Sequence, residues 1–177
     1  MEDIIHIKKG EVYDLEIHEM AYGGKGISRV NTADGLYVVF VPNSIPGQII
    51  RTRILKKRRK YAEGRPLITI GRSPEEIAIP YQLVSGAPYA TLPLERQRFY
   101  KERDSLVQFE RQGSTAVKDV FREMIASPVD WFYRNKMEYS FSAILWDMDN
   151  DESVDAFGLG FKKRGMWWAA ENLERPS

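Results

Sequence analysis

Hydrophobic and polar residues alternate along Glu11–Met20, with Tyr13, Leu15 and Ile17 on one side and Asp14, Glu16 and His18 on the other. That period of two predicts a half-buried strand. The pattern returns in Leu36–Val41 and in Gln48–Leu55, where Ile50, Thr52 and Ile54 oppose Ile49, Arg51, Arg53 and Leu55. Ile27–Val30 and Leu36–Val41 read as a hairpin around Asn31–Gly35, with Asp34-Gly35 as its turn signal. Pro46-Gly47 makes a second turn, since proline presets φ and glycine supplies φ > 0. Three glycines, Gly23, Gly24 and Gly26, suit positive φ and close approach of another chain. With Arg65–Ile70 as a last strand, residues 1–72 describe a five-stranded β-barrel of short strands and tight turns.

The pattern then changes. Residues 73–92 hold Pro74, Pro80, Gly86 and Pro88 and read as a linker, with Pro93 at its end. Thr91 or Leu92 caps a helix with Pro93 and Glu95 in its first turn. Phe99, Tyr100, Arg103, Leu106, Val107 and Glu110 line one face of it as core packing, and Gly113 stops it. Val117, Val120, Phe121, Met124 and Ile125 give Ser114–Ala126 helical spacing. Tyr133–Leu145 alternates as a long strand. An acidic loop at Asp147–Asp155 follows, then a strand through Phe157, Leu159 and Phe161, a turn at Lys163-Arg164-Gly165 and a return along Met166–Ala170. Residues 93–177 are therefore expected to form a small α+β domain with an antiparallel sheet.

Charge sharpens this division. The chain has 177 residues and a net charge of +1, but Met1–Arg72 carries 13 lysines and arginines against 8 acids. Ser73–Ser177 carries 13 against 17, so the N-terminal half is the one suited to a polyanion. Its basic run, Lys56-Lys57-Arg58-Arg59-Lys60, is either a solvated hairpin tip or a phosphate-binding strip. Tyr22, Tyr37 and Phe40 on the same barrel could stack bases, which favours nucleic acid.

Other chemistry is excluded or weak. With no cysteine, the chain has no disulfide, thiolate metal site, iron–sulfur ligation or thiol nucleophile. Asp147, Asp149 and Asp151 have calcium-loop spacing, yet Glu152 stands where that loop requires glycine and Gly158 where it requires glutamate. Gly158, Gly160 and Gly165 lack the Gly-Lys-Ser/Thr of a phosphate loop. His6 and His18 have no ligand cluster and read as surface histidines. The N-terminus lacks a signal-peptide core and no apolar run approaches the ~20 residues of a membrane span, so a cytoplasmic protein without a membrane partner is expected.

Tyr22–Arg29, Val39–Pro42 and Ile45–Gln48 resemble a TRAM domain. Trp131–Phe141 and Leu159–Gly165 resemble the central domain of bacterial 23S rRNA (uracil-5-)-methyltransferases. Order and spacing match from about residue 10 to the end. The resemblance implies an OB-like barrel followed by a central domain, and binding to structured, ribosomal RNA. Lys25, Arg29, Arg51, Arg53, Lys56, Lys57, Arg58, Arg59 and Lys60 would hold phosphates, and Tyr22, Tyr37 or Phe40 would stack bases. Arg134, Lys136, Lys163 and Arg164 would extend that surface, although Arg134 and Asn135 are as well suited to bonding backbone within their own domain.

Departures from the family matter as much. Many members hold an iron–sulfur cluster with Cys-x5-Cys-Gly-Gly-Cys as its first ligands; here Ile79, Ser85 and Pro88 occupy those places, so no cluster is expected. In that family the segment before Tyr133 is largely extended, which counts against a helix at Ser114–Ala126. The family's S-adenosylmethionine domain and catalytic residues follow the central domain, while this chain stops nine residues after Trp168. No catalytic residue and no cofactor is thus expected in the chain itself; S-adenosylmethionine and a C-terminal catalytic domain would belong to a complete enzyme. The rival readings are a stand-alone RNA-binding protein and a protein-interaction module anchored by Trp167-Trp168.

Overall fold

A computed structural model describes residues 4–113, 117–129, 131–147 and 152–173. In chain order the elements are β1 (Val12–Glu16), β2 (Glu19–Ala21), β3 (Lys25–Thr32), β4 (Gly35–Pro42), β5 (Ile49–Lys57), β6 (Tyr61–Gly71), α1 (Leu94–Gly113), α2 (Val117–Val120), β7 (Ser140–Asp147), β8 (Glu152–Lys162) and β9 (Ala170–Asn172). They group into two compact units, Met1–Ile77 with Thr91–Ala126, and Ala78–Ala90 with Ser127–Ser177.

The first unit is a six-stranded sheet in the order β1-β5-β6-β4-β3-β2. The expected five-stranded barrel is corrected here: Glu11–Met20 is two strands, and among the described residues no ladder joins the end strands β1 and β2. The break has a clear cause. Ile17 still donates its N–H to Gln48 O, whereas the next residue, His18, donates to Ile27 O, so the chain leaves β5 for β3 within one residue. Glycine makes the switch feasible. A Cβ on Gly26 would run into Ser44 Oγ and stand 2.8 Å from Ile17 Cγ2, so only a hydrogen fits there. Gly23 and Gly24 serve differently, taking φ of 83° and 81° in the turn from β2 to β3.

Alternation decides the core. Leu15, Ile17, Val30, Tyr37, Val39, Val41, Ile50, Ile54 and Ala62 pack together with Ile7. Each fully buried aliphatic side chain contributes about 1.5–3 kcal/mol. The β3–β4 hairpin turns at Ala33-Asp34, with Thr32 opposite Gly35 and Gly35 at φ 101°. Three irregularities in the β5–β6 register bend that long pair, and β6 also pairs in parallel with β4 through Val38↔Tyr61.

Helix α1 spans Leu94–Gly113, and Pro93 O accepts the Arg96 and Gln97 N–H groups at 2.9 and 3.0 Å, so Pro93 itself stands in the cap position expected of Thr91 or Leu92. Expected within residues 93–177, the helix groups instead with the first unit. Arg103 Nη2 donates to Met20 O at 2.6 Å, and Arg96 pairs with Glu75 at 2.8 Å. Both guanidiniums lie over the buried Tyr100 ring, at 5.2 and 5.1 Å. The anchor is polar and aromatic rather than an apolar stripe, so Phe99 is left 51% exposed and Glu110 is exposed, contrary to the expected core face. The expected helix at Ser114–Ala126 is corrected to the four residues of α2, with 121–129 irregular and 114–116 outside the described residues. Val120 and Ile125 stay exposed, and a short helix with no face to bury is marginal.

In the second unit β7 pairs with β8 antiparallel, and β9 runs antiparallel to β8 and parallel to β7. The long strand expected from Tyr133 begins only at Ser140. Upstream, Phe132 has φ 57° and its ring and that of Trp131 pack on Tyr81, with centroids 5.4 and 4.8 Å away. That packing turns the backbone out of register. The return strand is likewise shorter than Met166–Ala170, because Met166 N–H to Lys163 O and Lys163 N–H to Ala169 O keep 163–169 in a turn. The acidic loop expected over Asp147–Asp155 is corrected at both ends: Asp147 closes β7 opposite Glu152, and 152–155 already belong to β8, while 148–151 lie outside the described residues.

The tight fit at Gly26 generates a test. Gly26→Ala is expected to lower unfolding free energy by about 1–3 kcal/mol in urea denaturation, as overpacking does. Gly113→Ala, with open space around its Cβ position, should change it by no more than about 0.5 kcal/mol.

Candidate nucleic-acid interface

The β5–β6 hairpin delivers the basic run to solvent. Arg58 N–H donates to Tyr61 O at 2.8 Å and closes the turn, and Lys56, Lys57, Arg58, Arg59 and Lys60 are all exposed. Lys56 Nζ lies 3.9 Å from Glu63. Among the described residues no ion pair engages Lys57, Arg58, Arg59 or Lys60. Four like charges so presented form a concentrated positive potential, screened over about 10 Å at ordinary salt. Register adds to it: Arg53 lies opposite Arg65 on the same pair of strands. Burial, and then the charge of Arg53, pull the Arg65 guanidinium below its usual value.

The other predicted cations differ from one another. Arg51 holds Asp14 through two bonds, Nε to Oδ1 at 2.8 Å and Nη2 to Oδ2 at 2.9 Å, between directly paired residues of β5 and β1. The hydrogen bond from Arg51 holds the Asp14 carboxyl below its usual value. Arg29 is paired with Glu19. Both guanidiniums thus spend their charge within the sheet. Lys25 and Tyr22 are exposed, but Lys25 pairs with Pro42, at the far end of β4 from the basic turn. His18 is exposed, and its Nδ1 accepts the Arg29 N–H at 3.2 Å.

Of the three aromatics, Tyr37 is corrected. It is 8% exposed, and its hydroxyl donates to Arg58 O at 2.6 Å. Its ring belongs to the core and cannot receive a base, but its hydroxyl fixes the backbone of the basic turn from beneath. The alternation already held this, since Tyr37 shares its phase with Val39 and Val41. Phe40 is half-buried, edge-on to Tyr61 at 5.7 Å. Tyr61, absent from the predicted set, is the aromatic that directly follows the basic run.

In the second unit, Lys136 pairs with Glu138 at 2.8 Å and Arg134 lies 5.9 Å from the Tyr133 ring. These two cations, Met137, Glu138 and Phe161 line an open groove of about 350 Å3. Lys163 Nζ sits 4.2 Å over Trp146, and Arg164 N–H donates to Ser85 Oγ at 3.0 Å. Trp167 is 83% exposed and Trp168 38%.

Segment 78–90 lacks the donors of a metal site. Ile79 and Pro88 offer none, and the Ser85 hydroxyl is engaged by Arg164 while its amide donates to Glu171 Oε2 at 2.9 Å. Among the described residues no three histidine, aspartate or glutamate side chains are placed to hold an ion. The residues present do not fit an iron–sulfur cluster.

Residues 7–67 match the TRAM domain family, so the six-stranded sheet with its exposed basic turn is a TRAM domain. The chain is also similar to proteins named as uncharacterized RNA methyltransferases. That of Bacteroides thetaiotaomicron is 33% identical over 75% of this chain and 29% of its own length. One from Caldanaerobacter subterraneus is 33% identical over 90% of this chain and 33% of its own, and one from Chlorobaculum tepidum 27% identical over 96% and 36%. The chain spans about a third of the length of these curated relatives. A solution structure of a conserved protein of Methanococcus maripaludis is 34% identical, covering 35% of this chain and 83% of that one, with a TM-score of 0.31. Among the described residues no helix is long and apolar enough to cross a membrane.

Burial raises the Tyr37 phenol above its ordinary 10.0, against the opposing bond to Arg58. Tyr37→Phe should cost about 1 kcal/mol at neutral pH through the lost hydrogen bond. Above pH 10 the unfolded chain releases the phenol proton before the folded chain does, so stability of the tyrosine form falls with rising pH and that of the phenylalanine form lacks this share. Denaturation curves at pH 7 and above 10 should show the difference between the two narrowing.

Proposed function

We propose that this chain is the RNA-recognition portion of an S-adenosylmethionine-dependent RNA (uracil-5-)-methyltransferase acting on ribosomal RNA in the cytoplasm. The observation that carries the reading is the β5–β6 turn of the TRAM domain, where Lys57–Lys60 stand exposed with no acid of the described chain paired to them. Phosphate contacts by such groups supply affinity and register, and unpaired bases supply specificity through stacking. Tyr22 and the Phe40–Tyr61 pair are aromatics of the same sheet that could supply it. The relatives' names support the methyltransferase role. Chemistry that adds a thiolate to uracil C6 needs a cysteine, and this chain has none, so the reaction belongs to residues outside it.

Replacing Lys57, Arg58, Arg59 and Lys60 by alanine should flatten the slope of log affinity against log salt by up to about 3, taking ~0.7 per contact for single-stranded RNA. Stability should move by no more than about 0.5 kcal/mol, since these groups touch nothing in the core. An unchanged slope would leave the turn as a solvated surface. Titration calorimetry with S-adenosylmethionine alone should show no saturable binding to this chain; micromolar binding would contradict the division of labour.

A further inference from the structure

Glu171 is the most deeply enclosed charged residue among those described, at 1% exposure. One oxygen, Oε2, accepts the Ser85 N–H at 2.9 Å, and the other has no partner within the described protein. A carboxylate sealed from water is unfavourable unless bonded, and an apolar side chain of similar volume would fill the space more cheaply. Its presence points to orientation rather than stability. Ser85, itself 8% exposed, passes the link on: its hydroxyl accepts the Arg164 N–H at 3.0 Å. Alongside, Gln82 Nε2 donates to Asn172 O at 2.8 Å.

These bonds tie three pieces far apart in sequence, namely segment 78–90, β9 and the 163–165 turn. There is little slack between them. A Cβ on Gly160 of β8 would strike the Glu171 carbonyl, so β8 and β9 are pressed together at that point. The turn so held carries two cations. Lys163 is set by its place over the Trp146 ring, and Arg164, whose side chain is exposed, follows the backbone that Ser85 grips.

We propose that Glu171 and Ser85 are positioning residues: a carboxylate–amide–hydroxyl–amide chain, needing no metal, that fixes the Lys163-Arg164 turn for contact with RNA phosphates. The proposal rests on the RNA-binding reading above for its functional consequence, while the hydrogen-bond chain is tested without RNA.

In the intact 177-residue chain, Ser85→Ala removes the acceptor of the Arg164 amide and little else. Amide exchange at Arg164 should quicken at least about tenfold, as expected of a protected amide released, with Val39 and Ile54 of the first unit unchanged. Affinity for an RNA hairpin with an unpaired loop should fall several-fold, and the salt slope should fall by about 0.7 per cation disengaged, which general loosening would not produce. Arg164→Ala should weaken binding similarly, and adding it to Ser85→Ala should weaken it little further. Glu171→Gln keeps an oxygen for the Ser85 amide and should preserve both readouts; it also serves if Ser85→Ala does not fold. Unchanged Arg164 exchange in Ser85→Ala would refute the chain of bonds. Faster exchange with full RNA affinity in both Ser85→Ala and Arg164→Ala would remove the positioning role, while the β5–β6 turn still decides the RNA reading by itself. Stoichiometric iron, or a melting point lowered by a chelator, would also overturn the metal-free account.

Discussion

The first unit depends on the chain crossing from β5 to β3 at Ile17-His18. Within one residue the backbone changes partner, from Gln48 O to Ile27 O, and Gly47 N–H closes the corner on Ile17 O. Such a crossing requires strands to approach more closely than side chains allow, and Gly26 supplies the room. Without it Ile17 and Ser44 could not both stay buried, and Leu15 and Met20 would lose the geometry that sends both into the core. The corner thereby lays β1 on β5 and β2 on β3, the pairs at the two ends of the sheet.

Charge in this domain is sorted by geometry. Where a cation faces an acid across a strand pair, as Arg51 faces Asp14, its charge is satisfied in place. At the end of the hairpin no acid of the described residues is paired with a cation: Lys57 faces Ala62 and residues 58–60 make the turn, so Lys57–Lys60 keep theirs for solvent or ligand. The backbone beneath them is held by the buried Tyr37 hydroxyl, which links core packing to the presentation of a polyanion-binding tip. Exposed surface pairs are each worth little, ~0.2–1 kcal/mol, so sequestering Arg51 and Arg29 matters more for the shape of the potential than for stability.

The second unit relies on polar and aromatic contacts. Its hairpin leaves Phe141 and Phe157 stacked 5.7 Å apart and at least 70% exposed, while its interior side holds Ser142, Gly160, Leu145 and Glu171. Specific bonds from Gln82 and Ser85 to Asn172 O and Glu171 Oε2 hold segment 78–90 to β9. Helix α1 follows a similar logic in the first unit, where Arg96, Arg103 and Tyr100 take the part an apolar stripe would play.

What the sequence determined by itself was local: the turn signalled by Asp34-Gly35, the positive-φ glycines before β3, the existence of α1 to within a residue or two of its start, the site of the basic turn, and the absence of any thiol. Each follows from backbone sterics, capping or composition within a few residues. The TRAM resemblance was legible for the same reason, since its motif is a string of turn glycines and inward apolar positions. Tertiary structure decided what lies against each face. Tyr37 looked like a stacking ring until its phase was joined to a core, Arg51 like a free cation until β1 came alongside. Tyr133–Tyr139 alternated as a strand does, yet Trp131 and Phe132 found Tyr81 instead. Periodicity gives a residue its side of the strand, but burial, pairing and the partner across the gap arise only when segments dozens of residues apart meet.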